Sequence, residues 1–334
     1  MLASLDLGFR KVKGISLNGK FKYSAMIGNP SAFELTQYKK SDDPLKELIV
    51  HCDDKTYYVG EKALETRNAR LCTRPDKTNS AHDKAEYYAA LGHLYEKTGE
   101  TDFTIVTGLP VFEFHLKDTL AKNMKGTKTF KFGADKKEIE VNVKSVHVIP
   151  QSAGAYFAYI LDDTGKIIPE RATCLTMVID IGYRTTDIIM MKDGVYISQD
   201  SFSIEMGMKD IHKELIRIIH ATHGMLASHK EINEICEEQS ININGTSVDI
   251  SDLVQQAAEP VALAIIEGIR VEIPDVRKID KVLACGGTME LIFENFLQEY
   301  EGHIEKMANC EYSNAEGYYK YGLMIDGIKN KSKA

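Results

Sequence analysis

The chain has 334 residues, 43% of them apolar and 27% charged, which is the composition of an ordinary globular protein long enough to fill two cores. A formal net charge of −8 leaves no basic footprint for direct nucleic-acid binding, and no run approaches the ~18 apolar residues that would span a membrane. Six cysteines with no C-x-x-C spacing read as free thiols, and the first residues lack a signal-like head, so a cytoplasmic chain is expected.

The opening "MLASLDLGFRKVKGISL" predicts a strand, a tight turn at Gly8 and a second strand. Residues 20–60 alternate short strand-like runs with turn signals. Residues 82–97 carry apolar positions at helical spacing and stop before Gly99, which predicts a capped helix. "FTIVTGLPV" (103–111) predicts a buried strand broken by Gly108 and Pro110. An amphipathic helix over 112–124 and a hairpin turning at Gly133 follow, and then "VHVIPQSAGAYFAYIL" (146–161), a strand that turns at Pro150 into a helix.

Polar turn residues cluster over 162–173, and after them the opening pattern starts again. "VIDIGYRTTDII" (178–189) predicts a strand, a turn at Gly182 and a second strand. A further strand (194–204), a helix over 206–221 and a mostly helical region to about 273 come next. "KIDKVLACGGTMELI" (278–292) predicts a strand ending in a double glycine that opens a helix, and "NAEGYYKYGLMID" (314–326) a closing helix. Strands alternate with helices, and each half has its own strand–turn–strand motif. The chain therefore reads as an α/β protein of two related domains, 1–162 and 163–314, with a C-terminal helix (315–334) packing back on the first.

Three glycine turns follow three apolar strands. Asp6-x-Gly8 has Lys13 seven residues beyond its aspartate; Asp180-x-Gly182 is followed by Thr185, Thr186 and Asp187; the third is Gly286-Gly287-Thr288. None matches G-x-x-x-x-G-K-[ST] or G-x-G-x-x-G, and taken singly each is more often a structural turn. Taken together they could form a clamp, with amides and hydroxyls of two hairpin turns aimed at a polyphosphate. Asp6 and Asp180 would hold Mg2+ largely through water, with Lys13 near the phosphates as a point charge. The double glycine would let backbone approach a nucleoside at a helix N-terminus. His212, His220, His223 and His229 lie close in sequence, but no carboxylate completes a zinc set, and the histidines suit a helix C-terminus. Cys285 reads as a small buried residue, and the sets Tyr87, Tyr88, Tyr95 and Tyr318, Tyr319, Tyr321 as packing.

"LDLGFRKVKG", "IPQSAGAY", "VIDIGYRTTD" and "LACGGTMELI" resemble, in order, the phosphate-1, connect-1, phosphate-2 and adenosine motifs of the actin, DnaK-type chaperone and sugar-kinase superfamily. "NAEGYYKYG" resembles its connect-2 motif, and with "YYVGEKAL" and "VTGLPV" is similar to the bacterial ParM and archaeal actin-like branch. The resemblance covers nearly the whole chain. It implies a two-domain actin-like (ribonuclease H-like) ATPase fold with an interdomain nucleotide cleft. It also implies that Asp6 and Asp180 are metal-water carboxylates, that Gly8, Phe9, Arg10 and Lys13 form phosphate loop one, and that Gly182, Tyr183, Arg184, Thr185 and Thr186 form loop two. Gly286, Gly287 and Thr288 would sit at the nucleoside. Gln151 falls where the attacking water is oriented; a neutral amide positions water but is a poor base, so hydrolysis should be slow. Tyr183-Arg184 replaces a small pair common in relatives, and Phe9-Arg10 replaces small hydroxyl residues, so Arg184 either adds a phosphate contact or faces solvent.

The function implied is a cytoplasmic, Mg2+-dependent ATPase, using ATP or GTP, that polymerises into dynamic filaments of itself and depolymerises after hydrolysis. By resemblance to ParM its role would be plasmid DNA segregation through a DNA-binding adaptor at a centromere-like site, with no direct contact to nucleic acid or membrane. The competing readings are a small-molecule kinase, a non-polymerising ATP-dependent switch and an archaeal-type cytoskeletal actin. "GLPVFEFH" and "IPQSAG" supply no evident sugar-binding set, which disfavours the kinase.

Overall fold

In the computed structural model, which describes residues 1–30, 41–71, 80–228 and 231–331, the chain divides into unit 1 (Met1–Ala172 with Tyr312–Ala334) and unit 2 (Thr173–Glu311). Cys72, His229, part of the 20–60 region and the last three residues of the expected 315–334 helix lie outside the described residues.

Unit 1 is built on β1 (Leu2–Leu7), β2 (Lys11–Ser16), β3 (Gly19–Ser24), β4 (Met26–Gly28), β5 (Ile49–Cys52), β6 (Lys55–Val59), β7 (Arg70–Leu71), β8 (Asp102–Leu109), β9 (Gly126–Phe132) and β10 (Lys137–Pro150). They form one sheet in the order β3-β2-β1-β8-β10-β9-β5-β6-β4-β7. Its helices are α1 (Ala81–Thr98), α2 (Lys117–Met124), α3 (Ala153–Ile160), α4 (Pro169–Ala172) and the C-terminal helix Ser313–Lys331. Ser80 and Asp83 form a reciprocal capping box at the start of α1, and left-handed Gly99 ends it, so local sequence fixes both limits of this helix. The C-terminal helix is tied down at its first turn: Ala155 N–H donates to Asn314 Oδ1, and Ser4 Oγ donates to the Ala315 carbonyl. The core gathers Leu5, Val12, Leu91, Phe103, Ile105 and Phe130, all buried.

Unit 2 repeats this plan at smaller size. It contains β11 (Thr176–Ile181), β12 (Thr186–Lys192), β13 (Val195–Ile204), α5 (Met208–His223), α6 (Glu231–Glu238), β14 (Ser240–Ile243), β15 (Thr246–Asp249), α7 (Ser251–Glu272), β16 (Lys281–Cys285), α8 (Met289–Glu299) and β17 (Ile304–Lys306). The main sheet runs β13-β12-β11-β16-β17, and β14 pairs with β15 alone. In each unit an antiparallel meander continues into two parallel strands. β1 is parallel to β8 and β8 to β10, as β11 is to β16 and β16 to β17. The carboxyl ends of the parallel strands thus share one edge of each sheet, where open α/β sheets present ligand-binding loops.

Several expectations need correction. Gly108 does not break β8, which ends at Leu109, so only Pro110 stops it. The helix expected over 112–124 begins as a 3-10 segment, Val111–Leu116, and becomes α-helical only from Lys117. The helical reading of the region before 273 missed the β14–β15 hairpin. Its two-residue Asn244-Gly245 turn has φ of 51° and 85°, the left-handed pair a type I′ turn requires. His220 and His223 occupy the last turn of α5, before left-handed Gly224. Among the described residues no group of three or more His, Cys, Asp or Glu could hold a metal ion, the five described cysteines are unbridged, and no helix is long and apolar enough to cross a membrane.

Candidate functional site

In unit 1 the site is made where β1, β8 and β10 end. Antiparallel pairing sets Asp6 opposite Lys13, and Lys13 Nζ donates to Asp6 Oδ2 at 3.1 Å. Asp6 is only 2% exposed. Its other oxygen accepts a long bond, 3.4 Å, from Gln151 Nε2. Gln151 is anchored by its backbone: its N–H donates to the Leu109 carbonyl at 2.7 Å, and its own carbonyl accepts from Gly154 N–H at 3.0 Å and Tyr318 Oη at 2.9 Å. Two side chains, Lys13 from the neighbouring strand and Gln151 from 145 residues on, therefore converge on one carboxylate, and Leu109, Gly154 and Tyr318 fix the backbone of Gln151. The turn between β1 and β2 needs Gly8, because a Cβ there would lie 2.7 Å from the Lys11 carbonyl oxygen. Phe9 is buried, so only its backbone can serve a ligand; Arg10 is half-buried and its carbonyl accepts from Ala25 N–H at 2.7 Å.

In unit 2 the β11–β12 turn closes through Gly182 N–H donating to the Thr185 carbonyl at 2.9 Å. Asp180 (4% exposed) ends β11 opposite Asp187, whose Oδ1 accepts from Ser203 Oγ. The turn rests on the start of α5: Met208 N–H donates to the Gly182 carbonyl and Lys209 N–H to that of Tyr183. Thr288 braces the turn from the other side, its hydroxyl donating to the Gly182 carbonyl at 2.8 Å and its N–H to that of Ile181 at 3.2 Å. Gly286 adopts φ +91°, and a Cβ there would lie 2.5 Å from Asp180 Oδ1. The double glycine and the aspartate of loop two thus form one local structure.

Gly8, Gly182 and Gly286 fall at the expected strand-end turns, but several side chains beside them are engaged within the fold. Thr186 is fully buried and its hydroxyl donates to the Met206 carbonyl, and Thr288 is spent on Gly182; both shape the turn instead of projecting from it. Arg184 pairs with Glu205 at 2.6 Å, and this guanidinium holds the Glu205 carboxyl below its usual range. Tyr183 lies edge-on to His212, their centroids 5.9 Å apart. Thr185 is buried, while Gly287 is exposed beside the first turn of α8. Tyr318, read as packing, is fully buried and carries a hydroxyl that fixes Gln151. Only its place in the connect-2 motif hinted at this.

The chemistry of the donor set suits a nucleotide and a hard cation. A buried carboxylate lies at the penultimate position of one strand in each unit, a glycine turn follows it, and in unit 1 a lysine pairs with the carboxylate. The duplicated meander and the strand-end turns define an actin-like, two-domain α/β protein. Residues 4–154 match the family model for the N-terminal domain of actin-like proteins, and residues 178–299 that for the C-terminal domain of the archaeal actin homologue, MreB-like. The chain belongs to the actin-like proteins.

Solved structures share the fold. The archaeal actin homologue Ta0583 in complex with ADP superposes with a TM-score of 0.77 at 21% identity, over 98% of this chain and 99% of that one. Apo pSK41 ParM gives 0.74 at 20% identity, over 100% and 99%. A 15-stranded ParM filament from Clostridium botulinum gives 0.78 at 22% identity, over 96% and 98%. A sequence comparison with curated proteins finds no match.

Proposed function

We propose that this protein is a slow, Mg2+-dependent ATPase that assembles into filaments when it binds nucleoside triphosphate and disassembles after hydrolysis. The observation that carries the reading is the convergence of Lys13 and Gln151 on buried Asp6 at the end of β1, matched in unit 2 by Asp180 against Gly286. Two neighbours of the same fold support it, one solved with ADP and one as a filament.

Asp6 and Asp180 would each accept hydrogen bonds from water on Mg2+, which supplies neutralisation of phosphate charge. Lys13, already at the strand end, exchanges Asp6 for a phosphate oxygen as a point charge. The loop amides after Gly8 and Gly182 face the phosphates, and Gly286 and Gly287 allow close backbone approach to the nucleoside. Gln151 orients the attacking water through its side-chain amide while its backbone stays fixed by Leu109, Gly154 and Tyr318. An amide takes no proton, which makes the reaction a timer.

The biological role proposed is plasmid DNA segregation in the cytoplasm, through a DNA-binding adaptor and with ATP or GTP as fuel. Sedimentation of the pure protein with Mg2+ and ATP, GTP, ADP or no nucleotide tests the biochemical reading, with Asp180→Ala alongside. Triphosphate-specific pelleting that the variant loses supports it. Binding and hydrolysis without pelleting at any concentration would leave a non-polymerising switch or kinase instead.

A further inference from the structure

The net charge of −8 is divided very unevenly. Unit 1 carries 30 Lys and Arg against 25 Asp and Glu, a net of +5, whereas unit 2 carries 11 against 24, a net of −13. The excess on each side has a local centre. In unit 1, residues 117–137, covering α2, β9 and the hairpin turn, hold seven lysines against two aspartates. Lys122 and Lys125, at the end of α2, are exposed, and neither has a carboxylate within ion-pair distance among the described residues, whereas Lys131 lies on the other face of β9, opposite Glu138.

In unit 2, α6 (sequence EINEICEE) turns Ile232, Ile235 and Cys236 into the core and leaves Glu231, Glu234, Glu237 and Glu238 exposed, with no basic residue in its last turn. Glu234 and Glu238 are like charges four residues apart. Glu237 and Glu238 also sit where the helix dipole is already negative. Both arrangements weaken α6 by itself, and a cationic partner would reverse both penalties.

We infer that the acidic exposed face of unit 2, centred on α6, is an interaction surface for the lysine-bearing end of α2, around Lys122 and Lys125, in unit 1 of a second copy of this chain. The partner is fixed by charge: the complementary surface is present at equal concentration on every other copy, and both faces are exposed. This rests on the filament reading and adds a consequence the net charge does not contain. If the molecule acted as a simple −8 charge, copies would repel and salt would promote assembly by screening; contact between unlike units makes salt weaken it.

Three arms test this. First, the critical concentration for triphosphate-driven pelleting is measured as KCl rises from about 0.05 to about 0.3 M, where it should increase at least about threefold; no change or a decrease overturns the inference. Second, Lys122→Glu/Lys125→Glu and Glu234→Lys/Glu238→Lys are each checked for unchanged circular dichroism. Each should raise the critical concentration about tenfold, and an equimolar mixture should recover part of the loss. Variants that assemble like the parent overturn the inference. Third, sedimentation velocity without nucleotide reads the pairwise contact alone. Salt-sensitive, reversal-sensitive self-association supports it, and its absence overturns it. Loss of triphosphate-driven pelleting with that association intact would overturn the filament reading only.

Discussion

Asp6 shows how much one buried carboxylate depends on its neighbours. Lys13 reaches it from β2 and Gln151 from the turn after β10, and under the proposed function both bonds rearrange when nucleotide binds. Replacing Gln151 with Ala should slow phosphate release about 10- to 100-fold while nucleotide affinity changes less than about threefold, because orientation of water is lost and charge is not. Steady-state hydrolysis paired with nucleotide titration separates the two. Tyr318→Phe removes a single hydroxyl from the Gln151 carbonyl, so about 1 kcal/mol of stability should go. The turnover rate should fall with affinity unchanged; turnover equal to the parent would show that the bond only packs the helix. Gly286→Ala places a methyl against Asp180 at positive φ, and a loss of about 1–3 kcal/mol or more in denaturant melts is expected.

At the scale of elements, the strand-end motifs were the most legible part of the sequence. Apolar runs ending in Asp-x-Gly specify strand, turn and exposed backbone through hard-sphere rules that act within a few residues. Side-chain engagement was not legible in the same way. Thr186 finds the Met206 carbonyl twenty residues on, Thr288 finds Gly182 over a hundred residues back, and Tyr318 finds Gln151 from the far end of unit 1; such partners exist only after folding. The β14–β15 hairpin was different: its Asn-Gly turn is a local signal, but the amphipathic helices around it dominated the reading of that region. Burial within elements also sets thiol reactivity. Burial and nearby Glu290 push the Cys310 thiol up to about 12, and burial beside Asp53 pushes Cys52 up to about 11. Neutral thiols are favoured in the native state, so this stability is complete below pH about 9 and declines as pH rises from there toward 11 and 12. Among the described cysteines, half-exposed Cys174 should therefore alkylate first at neutral pH, which peptide mapping by mass spectrometry would show.

At the scale of the whole molecule, the duplicated plan gives each unit its own buried core and its own strand–turn–strand motif. The sequence revealed the duplication because the strand–turn–strand motif is repeated, but the split of charge between the units emerged only once their limits were known. A ligand bound by the native state alone should stabilise it by about 2.7 kcal/mol at a hundredfold excess over its dissociation constant. Thermal melts with saturating Mg2+ and ATP or GTP should then shift upward by roughly 2–4 °C, and Asp180→Ala should lose that shift. The central claim is that assembly and hydrolysis are one coupled cycle. The most direct measurement follows light scattering and phosphate release together after a single limited addition of ATP. The expected trace rises before phosphate appears and decays as the ATP is consumed. Scattering that never rises while phosphate accumulates, or that persists unchanged after the ATP is spent, would contradict it.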